Sequence, residues 1–441
     1  MANTIQLKEY EKKNKSEIAC CDLESLEKYL ERNKLSSALK VTASGVKARN
    51  YVGVIKFKNT QFEILPKLIS QYKDDNKLTD EEKEKQNQII LKNLVFMLSY
   101  TKHLDIKSTS CAKLAKTQNP FLEVLIREFA ESLFECLKRL TPKNYIREED
   151  NLNYLKGKLK FTENIRYNCA NQAKFYCEFD EFSENCVLNQ LFNYVSICLH
   201  SISKDSNNKK LLKFIINYYQ DIKLVRFDKF KCQKIRLNRN QQLFKKPFEL
   251  AKMFVEQSSV DLSKNKFENI TLLWDMNELF EEFIYQVMKK HNIADVSPQK
   301  KKRLLVCGGS TYRDTKVDIM VYKKDKTKKI PEKVIDTKYK RFESLDDVAS
   351  ADIYQVSTYC LLHGVKEAIL LYPQWGEEEI EITKNTYNLQ TQEEYKLHFK
   401  SIDLKKDLKS DLKKANSENS DSEIIKKLKN ILNKETEKEV C

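Results

Sequence analysis

Apolar residues follow two rhythms along this chain, one helical and one strand-like, and the switches between them outline its organisation. A helix is expected over Leu23–Asn33. The stretch TASGVKARNYVGVIKFKNTQFEILPKL then places Val52, Val54, Ile55, Phe57, Phe62, Ile64 and Leu65 as short paired strands turning at Lys58–Thr60. The polar run YKDDNKLTDEEKEKQNQ reads as an exposed loop or a frayed helix start. Helices are expected over Ile89–Tyr100 and Phe121–Arg139. In the second, Leu122, Leu125, Ile126, Phe129, Leu133, Phe134 and Leu137 recur at helical spacing. Residues 145–182 are polar with strand-like pieces, and helices follow over Val187–Ser203 and Lys210–Tyr219.

The last third reads differently. An apolar helix is expected over Ile270–Lys290, then the strands RLLVC, KVDIMVY and KVIDTKYK, the helix ASADIYQVSTYCLLH and the strand EAILLYP. From about Lys405 the chain is a Lys-rich tail with one helix near Glu423–Asn433. The fold class is therefore α/β (α+β), with a mixed β/helical region over 1–265, a C-terminal α/β domain over 266–400 and a tail over 401–441.

Composition narrows the function. No run of about 18 apolar residues is present, so no membrane-spanning helix and no membrane partner are expected. The N-terminal stretch MANTIQLKEYEKKNKSE lacks the apolar core of a signal peptide, so a cytoplasmic location is expected. The net charge of +15 suits a polyanionic partner, because Lys and Arg release counterions from phosphates, although a Lys-rich composition alone would also produce it. Twelve cysteines occur without a CxxC pair, which points to reduced, buried thiols rather than a zinc ribbon or an iron–sulfur cluster. With only seven glycines, neither GxGxxG nor GxxxxGK[ST] can be written, so if nucleotide hydrolysis is involved, a partner is expected to supply it. The five histidines form no HExxH pair.

The candidate chemistry lies between Thr315 and Lys338. Asp336 and Lys338 of KVIDTKYK are two apart, so on a strand they share a face. Asp318 sits centrally in KVDIMVY, and the connection KKDKTKKIP suits an antiparallel hairpin that brings it near Asp336. Two carboxylates hold Mg²⁺, with Mn²⁺ as the expected substitute. The metal activates a water and screens the phosphate, and a lysine orients or deprotonates that water. The D-x-K triplet alone is common here, recurring at Asp75, Asp221, Asp314, Asp403, Asp407 and Asp411. Its setting between an Asp-bearing strand and an amphipathic helix distinguishes Asp336–Lys338; charges on an edge-strand hairpin are the bland alternative. Accessory candidates are Gln355 and Tyr354 on the following helix, with Tyr359 on the face of Gln355. Glu281 is the third, chosen from the Glu278, Glu281 and Glu282 set of the helix WDMNELFEEFIYQVM.

The ordered pieces WDMNELFEEF, VDIMVY, VIDTKYK, DIYQVSTYC and ILLYP resemble the McrC family, the nuclease subunits of McrBC-type modification-dependent restriction systems. EEDNLNYLKGKLKF, CEFDEFSENCVLNQLFNYV and VGVIKFKNTQFEILPKL extend the likeness over roughly 45–375. The resemblance implies a PD-(D/E)xK restriction-endonuclease-like domain with Asp318, Asp336 and Lys338 as the catalytic set and Asp318 and Asp336 as metal ligands. It also implies a DNA substrate and a McrB-like AAA+ GTPase hexamer as partner, whose GTP hydrolysis the N-terminal part stimulates. The alternatives are a non-catalytic adaptor of an AAA+ motor and a stand-alone nuclease of the same fold in defence or repair.

Overall fold

The computed structural model describes residues 3–18, 22–58, 60–67, 79–101, 120–171, 173–256, 258–261, 266–307, 310–323, 329–375, 379–387, 394–408, 410–412 and 422–433. Residues 72–78 of the polar run with the Asp75 triplet, Asn59, Cys20 and Cys21, Gly308 and Gly309, residues 324–328 of the hairpin connection and residues 409, 413–421 and 434–441 of the Lys-rich tail lie outside the described residues. The chain folds as two compact units, one of Met1–Lys116 with Leu273–Cys441 and one of Thr117–Leu272.

The first unit opens with β1 (Asn3–Lys8), β2 (Lys12–Asn14), α1 (Leu23–Arg32), β3 (Leu39–Thr42), β4 (Gly45–Ala48), β5 (Tyr51–Phe57), β6 (Thr60–Leu65) and α2 (Asp80–Tyr100). Strand β6 pairs antiparallel with β5 and parallel with β1. Strands β2, β4 and β3 form a small second sheet. Alternation along these strands buries Ile5, Leu7, Val46, Ile55, Phe62 and Ile64 against Leu26 and Leu30 of α1. Helix α2 begins well before Ile89, with its polar first turns preceding the apolar stripe.

The second unit holds α3 (Pro120–Leu137), β7 (Asn144–Leu152), β8 (Lys158–Leu159), α4 (Phe161–Asn168), β9 (Phe175–Ser183), α5 (Val187–Ile202), α6 (Ser206–Tyr218), α7 (Lys229–Lys234), α8 (Lys245–Glu256) and β10 (Ser258–Asp261). The helical spacing of Leu122, Leu125, Ile126 and Phe129 buries all four almost completely. Phe129 packs against Phe192 of α5 and Phe254 of α8. Helix α4 is not evident in the apolar rhythm: it lies in a stretch that reads as strand-like, and it exposes Phe161 and Ile165.

Strand β11 (Lys266–Asp275) carries the chain back to the first unit, where α9 (Met276–Lys290) follows. The single helix expected over Ile270–Lys290 is thus a strand and a helix. A short apolar run fits either period, and the cap decides between them. Asp275 caps α9 by accepting from Asn277 N at 2.8 Å, and Met276 N donates to Asn50 O at 3.0 Å. Next come β12 (Asp295–Cys307), β13 (Ser310–Tyr322), β14 (Pro331–Thr337), α10 (Ser350–His363), β15 (Glu367–Pro373), β16 (Glu381–Tyr387), β17 (Glu394–Ile402) and α11 (Glu423–Asn433).

These strands form one six-stranded sheet in the order β12-β13-β14-β15-β17-β16. The β12–β14 meander is antiparallel, and β14, β15 and β17 run parallel. Helix α10 is the crossover between β14 and β15. It ends at Gly364, whose φ of 66° is a left-handed cap that glycine adopts without Cβ strain. Val356, Tyr359 and Cys360 of α10 pack with Met320, Val334, Leu370 and Tyr372 of the sheet. Strands β16 and β17 complete the sheet after Tyr372, where the sequence shows no recognisable motif. Six described cysteines are buried and one, Cys169, is exposed; all seven are free thiols. Among the described residues no helix is long and apolar enough to cross a membrane.

Candidate active site

Adjacent strands of this sheet bring Asp318 and Asp336 together. The β13–β14 register pairs Ile319 with Ile335 and Met320 with Val334, so the next rung sets Asp318 opposite Asp336. Strand β14 ends at Thr337, which places Lys338 beyond the strand rather than on it. Its backbone nonetheless continues the ladder, with Lys338 N donating to Leu371 O at 2.9 Å. The side chain therefore stays on the Asp336 side, and its Nζ lies 2.7 Å from Asp336 Oδ2.

Each group is held differently. Asp318 Oδ2 accepts from Thr337 N at 2.8 Å and Thr337 Oγ1 at 3.0 Å. Burial raises the Asp318 carboxyl above the ordinary range, and the Thr337 bonds and the Lys338 and Lys316 charges only partly offset this. Asp336 is completely buried, and neither of its oxygens receives an aligned hydrogen bond. The short approach of Lys338 is thus an ion pair off the bonding direction. Burial first, and the Asp318 charge second, push Asp336 up to about 7. Burial would lower Lys338, but Asp336, Asp352 and Asp318 outweigh it, so Lys338 stands above its ordinary value as an ammonium. That charge state suits an electrostatic role better than proton abstraction.

The accessory residues divide. Lys338 Nζ donates to Gln355 Oε1 at 2.9 Å, Gln355 Nε2 to the Tyr359 hydroxyl at 2.6 Å, and Tyr359 to Lys316 O at 2.9 Å. This relay ties the lysine to α10 and β13. Burial, then the Asp318 charge, push Glu281 up to about 7, while Gln299 donates to it at 3.2 Å. Glu281 therefore faces the cluster from α9. Tyr354 does not join it: the residue is 71% exposed, and its carbonyl accepts from Thr358. A helix that packs one face on the sheet turns Tyr354 outward, one residue from Gln355.

Two contributors escape the triplet-based reading. Thr337 orients Asp318, and only its place between the two motif residues hints at this. Asp352 is nearly buried and pairs with Lys340 at 2.9 Å, with Lys338 at 3.8 Å. It opens the DIYQ stretch, but only the fold shows that it reaches the lysines.

Among the described residues, no three His, Cys, Asp or Glu side chains form a ready metal cage. The donor set nevertheless fits a hard divalent cation. Two strand carboxylates stand side by side, a third faces them, and the buried Asp336 oxygens have unused acceptor capacity. Mg²⁺ keeps several waters and takes one or two carboxylates, so an open site of this kind suits it.

Comparisons with known proteins agree with this architecture. No curated protein sequence matches. Among solved structures, the chain is similar to one in a refined half-complex from a tetradecameric assembly of Thermococcus gammatolerans McrB AAA+ hexamers with bound McrC. The TM-score is 0.72 at 19% identity, covering 98% of this chain and 99% of that one. It is also similar to a chain in the cryo-EM structure of the Thermococcus gammatolerans McrBC complex, with a TM-score of 0.52 at 25% identity over 66% of this chain and 88% of that one. The family profile described as McrBC 5-methylcytosine restriction system component matches residues 46–373, most of the chain and the whole of the carboxylate–lysine cluster. The chain is therefore a McrC-type member of the McrBC 5-methylcytosine restriction system component family.

Proposed function

We propose that this chain is the DNA-cutting subunit of a McrBC-like restriction system, a Mg²⁺-dependent endodeoxyribonuclease that hydrolyses phosphodiester bonds. In this reading the six-stranded sheet with α9 and α10 is a PD-(D/E)xK core within 266–400. The region ahead of it carries the contacts through which the chain stimulates a partner AAA+ GTPase, as the McrB hexamers with bound McrC suggest. The observation that carries the proposal is Asp336: wholly buried, without an aligned donor on either oxygen, beside Asp318 and the Lys338 ammonium.

Asp318 and Asp336 would hold the metal, with Mn²⁺ able to replace Mg²⁺. When bound, that ion supplies Lewis acidity and charge neutralisation at the phosphate. Thr337 fixes the Asp318 carboxylate. Lys338, steadied by Gln355, places a positive charge where charge develops on the phosphoryl oxygens. Glu281, with its raised pKa, is suited to accept a proton at the edge of the cluster. No P-loop can be written in the sequence, which assigns GTP hydrolysis to the partner.

The test uses the chain with its GTPase partner, Mg²⁺ and modified duplex DNA. Asp336→Ala and Lys338→Ala are expected to abolish cleavage while leaving stimulation of GTP hydrolysis intact. Cutting at the unmutated rate by both variants would overturn the site.

A further inference from the structure

The β12–β13 hairpin is far longer than a two-carboxylate site requires, with thirteen residues in each strand. Its outer part is basic where the sequence reads SPQKKKR on one strand and RDTK on the other. Alternation sets Lys316 on the strand face of Asp318, two residues away. The register sets Lys301 opposite Lys316, and Arg303 opposite Asp314 on the following rung of that face. All four side chains are exposed.

This is an expensive arrangement for an isolated protein. Like charges directly opposite one another on a sheet repel, at a cost of up to about 1 kcal/mol. Lys316 feels the Asp318 and Glu281 carboxylates at longer range and Arg303 stands opposite Asp314, but among the described residues none of these carboxylates closes an ion pair with Lys301, Lys316 or Arg303. The arm is also anchored rather than loose: Tyr359 donates to Lys316 O, Thr315 Oγ1 to Lys302 O, and Lys302 Nζ to Leu362 O at the end of α10. Lys302 and Lys300 add positive field beside His363, which burial and these two lysines hold below its ordinary pKa.

We propose that the Lys301–Lys316–Arg303 face of this arm is a track for the phosphate backbone of duplex DNA, leading from the Asp318–Asp336 cluster along one flank of the scissile bond. The inference rests on the nuclease reading above and deepens it. A strand advances about 3.4 Å per residue, so the Lys316 rung lies about 7 Å and the Arg303 rung about 14 Å from Asp318. A DNA strand carries one charge per 3.4 Å of helix axis, so the arm spans several phosphates. A polyanion continuous with the cut site also offsets the Lys301–Lys316 repulsion. Asp314 is the one acidic group in the row, and it weakens the track where it sits.

The experiment measures binding of a short fluorescein-labelled duplex to the full-length chain by anisotropy, in EDTA, between about 50 and 200 mM NaCl. Lys301→Gln combined with Arg303→Gln is expected to weaken binding about ten-fold and to reduce the salt slope by about 1.8, two phosphate contacts at about 0.9 each. Asp314→Asn is expected to tighten binding, a gain that misfolding would not produce. The control Lys209→Gln with Lys210→Gln, the same charge change on α6, is expected to leave the slope unchanged. An unaltered slope in the Lys301/Arg303 variant, or weaker binding by Asp314→Asn, would overturn the track. So would a Lys301/Arg303 variant that binds DNA normally but loses the GTPase partner, since the arm would then be a protein-docking surface. Cleavage by the unmutated chain with its partner and Mg²⁺ is read in parallel. Its absence sinks the nuclease reading and the track with it, whereas cleavage with an unaltered slope sinks the track alone.

Discussion

Replacing Asp336 by Asn should abolish cutting and stabilise the fold at the same time. The folded pKa of Asp336 is pushed from 3.8 to about 7 by burial and by the neighbouring Asp318 charge. The folded state therefore holds this proton more tightly than the unfolded chain does. The stability it contributes is present below the unfolded pKa and is lost as pH rises to about 7. Three pKa units correspond to about 4 kcal/mol, an upper bound because Asp318 shares the repulsion. Asn keeps the shape without the charge, though its amide enters a place that offers no hydrogen-bond partner. Lys338 loses its nearest carboxylate but keeps Gln355 at 2.9 Å and Asp352 at 3.8 Å. The net expectation near pH 8 in EDTA is a gain of about 1–3 kcal/mol, seen as a rise of about 2–6 °C in Tm. Near pH 4.5 most of that gain should vanish, because the wild-type carboxyl is then protonated in the folded state. Thermal melts followed by circular dichroism at both pH values decide the matter. A variant less stable than wild type near pH 8, or an advantage equal at the two pH values, would refute the buried-carboxylate argument.

Other consequences follow from the same geometry. Mg²⁺ should raise the Tm of the wild-type chain and leave that of Asp336→Asn nearly unchanged, which the same melts read directly. Glu9 is wholly buried, and burial pushes it up to about 8 although Lys67 N donates to its Oε2 at 2.9 Å. Its neutral form is the folded one, so its contribution fades as pH climbs from about 4.5 to 8. Glu9→Gln should gain on wild type over that window by up to about 4 kcal/mol in urea unfolding; parallel pH profiles would show that Glu9 is not held neutral. Gln355→Ala frees the Lys338 ammonium and should lower kcat several-fold more than it raises KM, which cleavage kinetics will separate. Glu123 accepts from Ser203 Oγ at 2.8 Å, Lys204 N at 2.5 Å and Asn208 Nδ2 at 2.8 Å. Glu123→Ala leaves buried donors unmatched and should destabilise the 117–272 unit by about 2–3 kcal/mol in denaturant titration.

Local pattern alone was sufficient for much of the sheet that carries the site. Asp318 and Asp336 lie in apolar strands, and a run such as VIDT with a charge at its centre is legible because nothing local explains it. Helix α10, strand β15 and the distant helix α11 all coincide closely with their periodic stretches, since each buries one face or both against a core. The order of these pieces was also enough to reveal the family. Other features depend on partners far along the chain. The β11–α9 junction turns on an Asp275 cap that an apolar count cannot see. Strands β16 and β17 carry no recognisable motif, and they become strands because β15 offers β17 a free edge and β17 offers β16 the next one. Glu281 and Glu282 look alike in sequence, but the packing of α9 brings only Glu281 up to the Asp318 charge. Asp352 and Thr337 act through groups that the fold delivers to them. The sequence by itself determined which residues could do the chemistry, because residue type and strand period are local properties. Which of them meet, and how their charges are shifted, was decided only by the tertiary structure, because burial and Coulombic neighbours depend on elements brought together from across the chain.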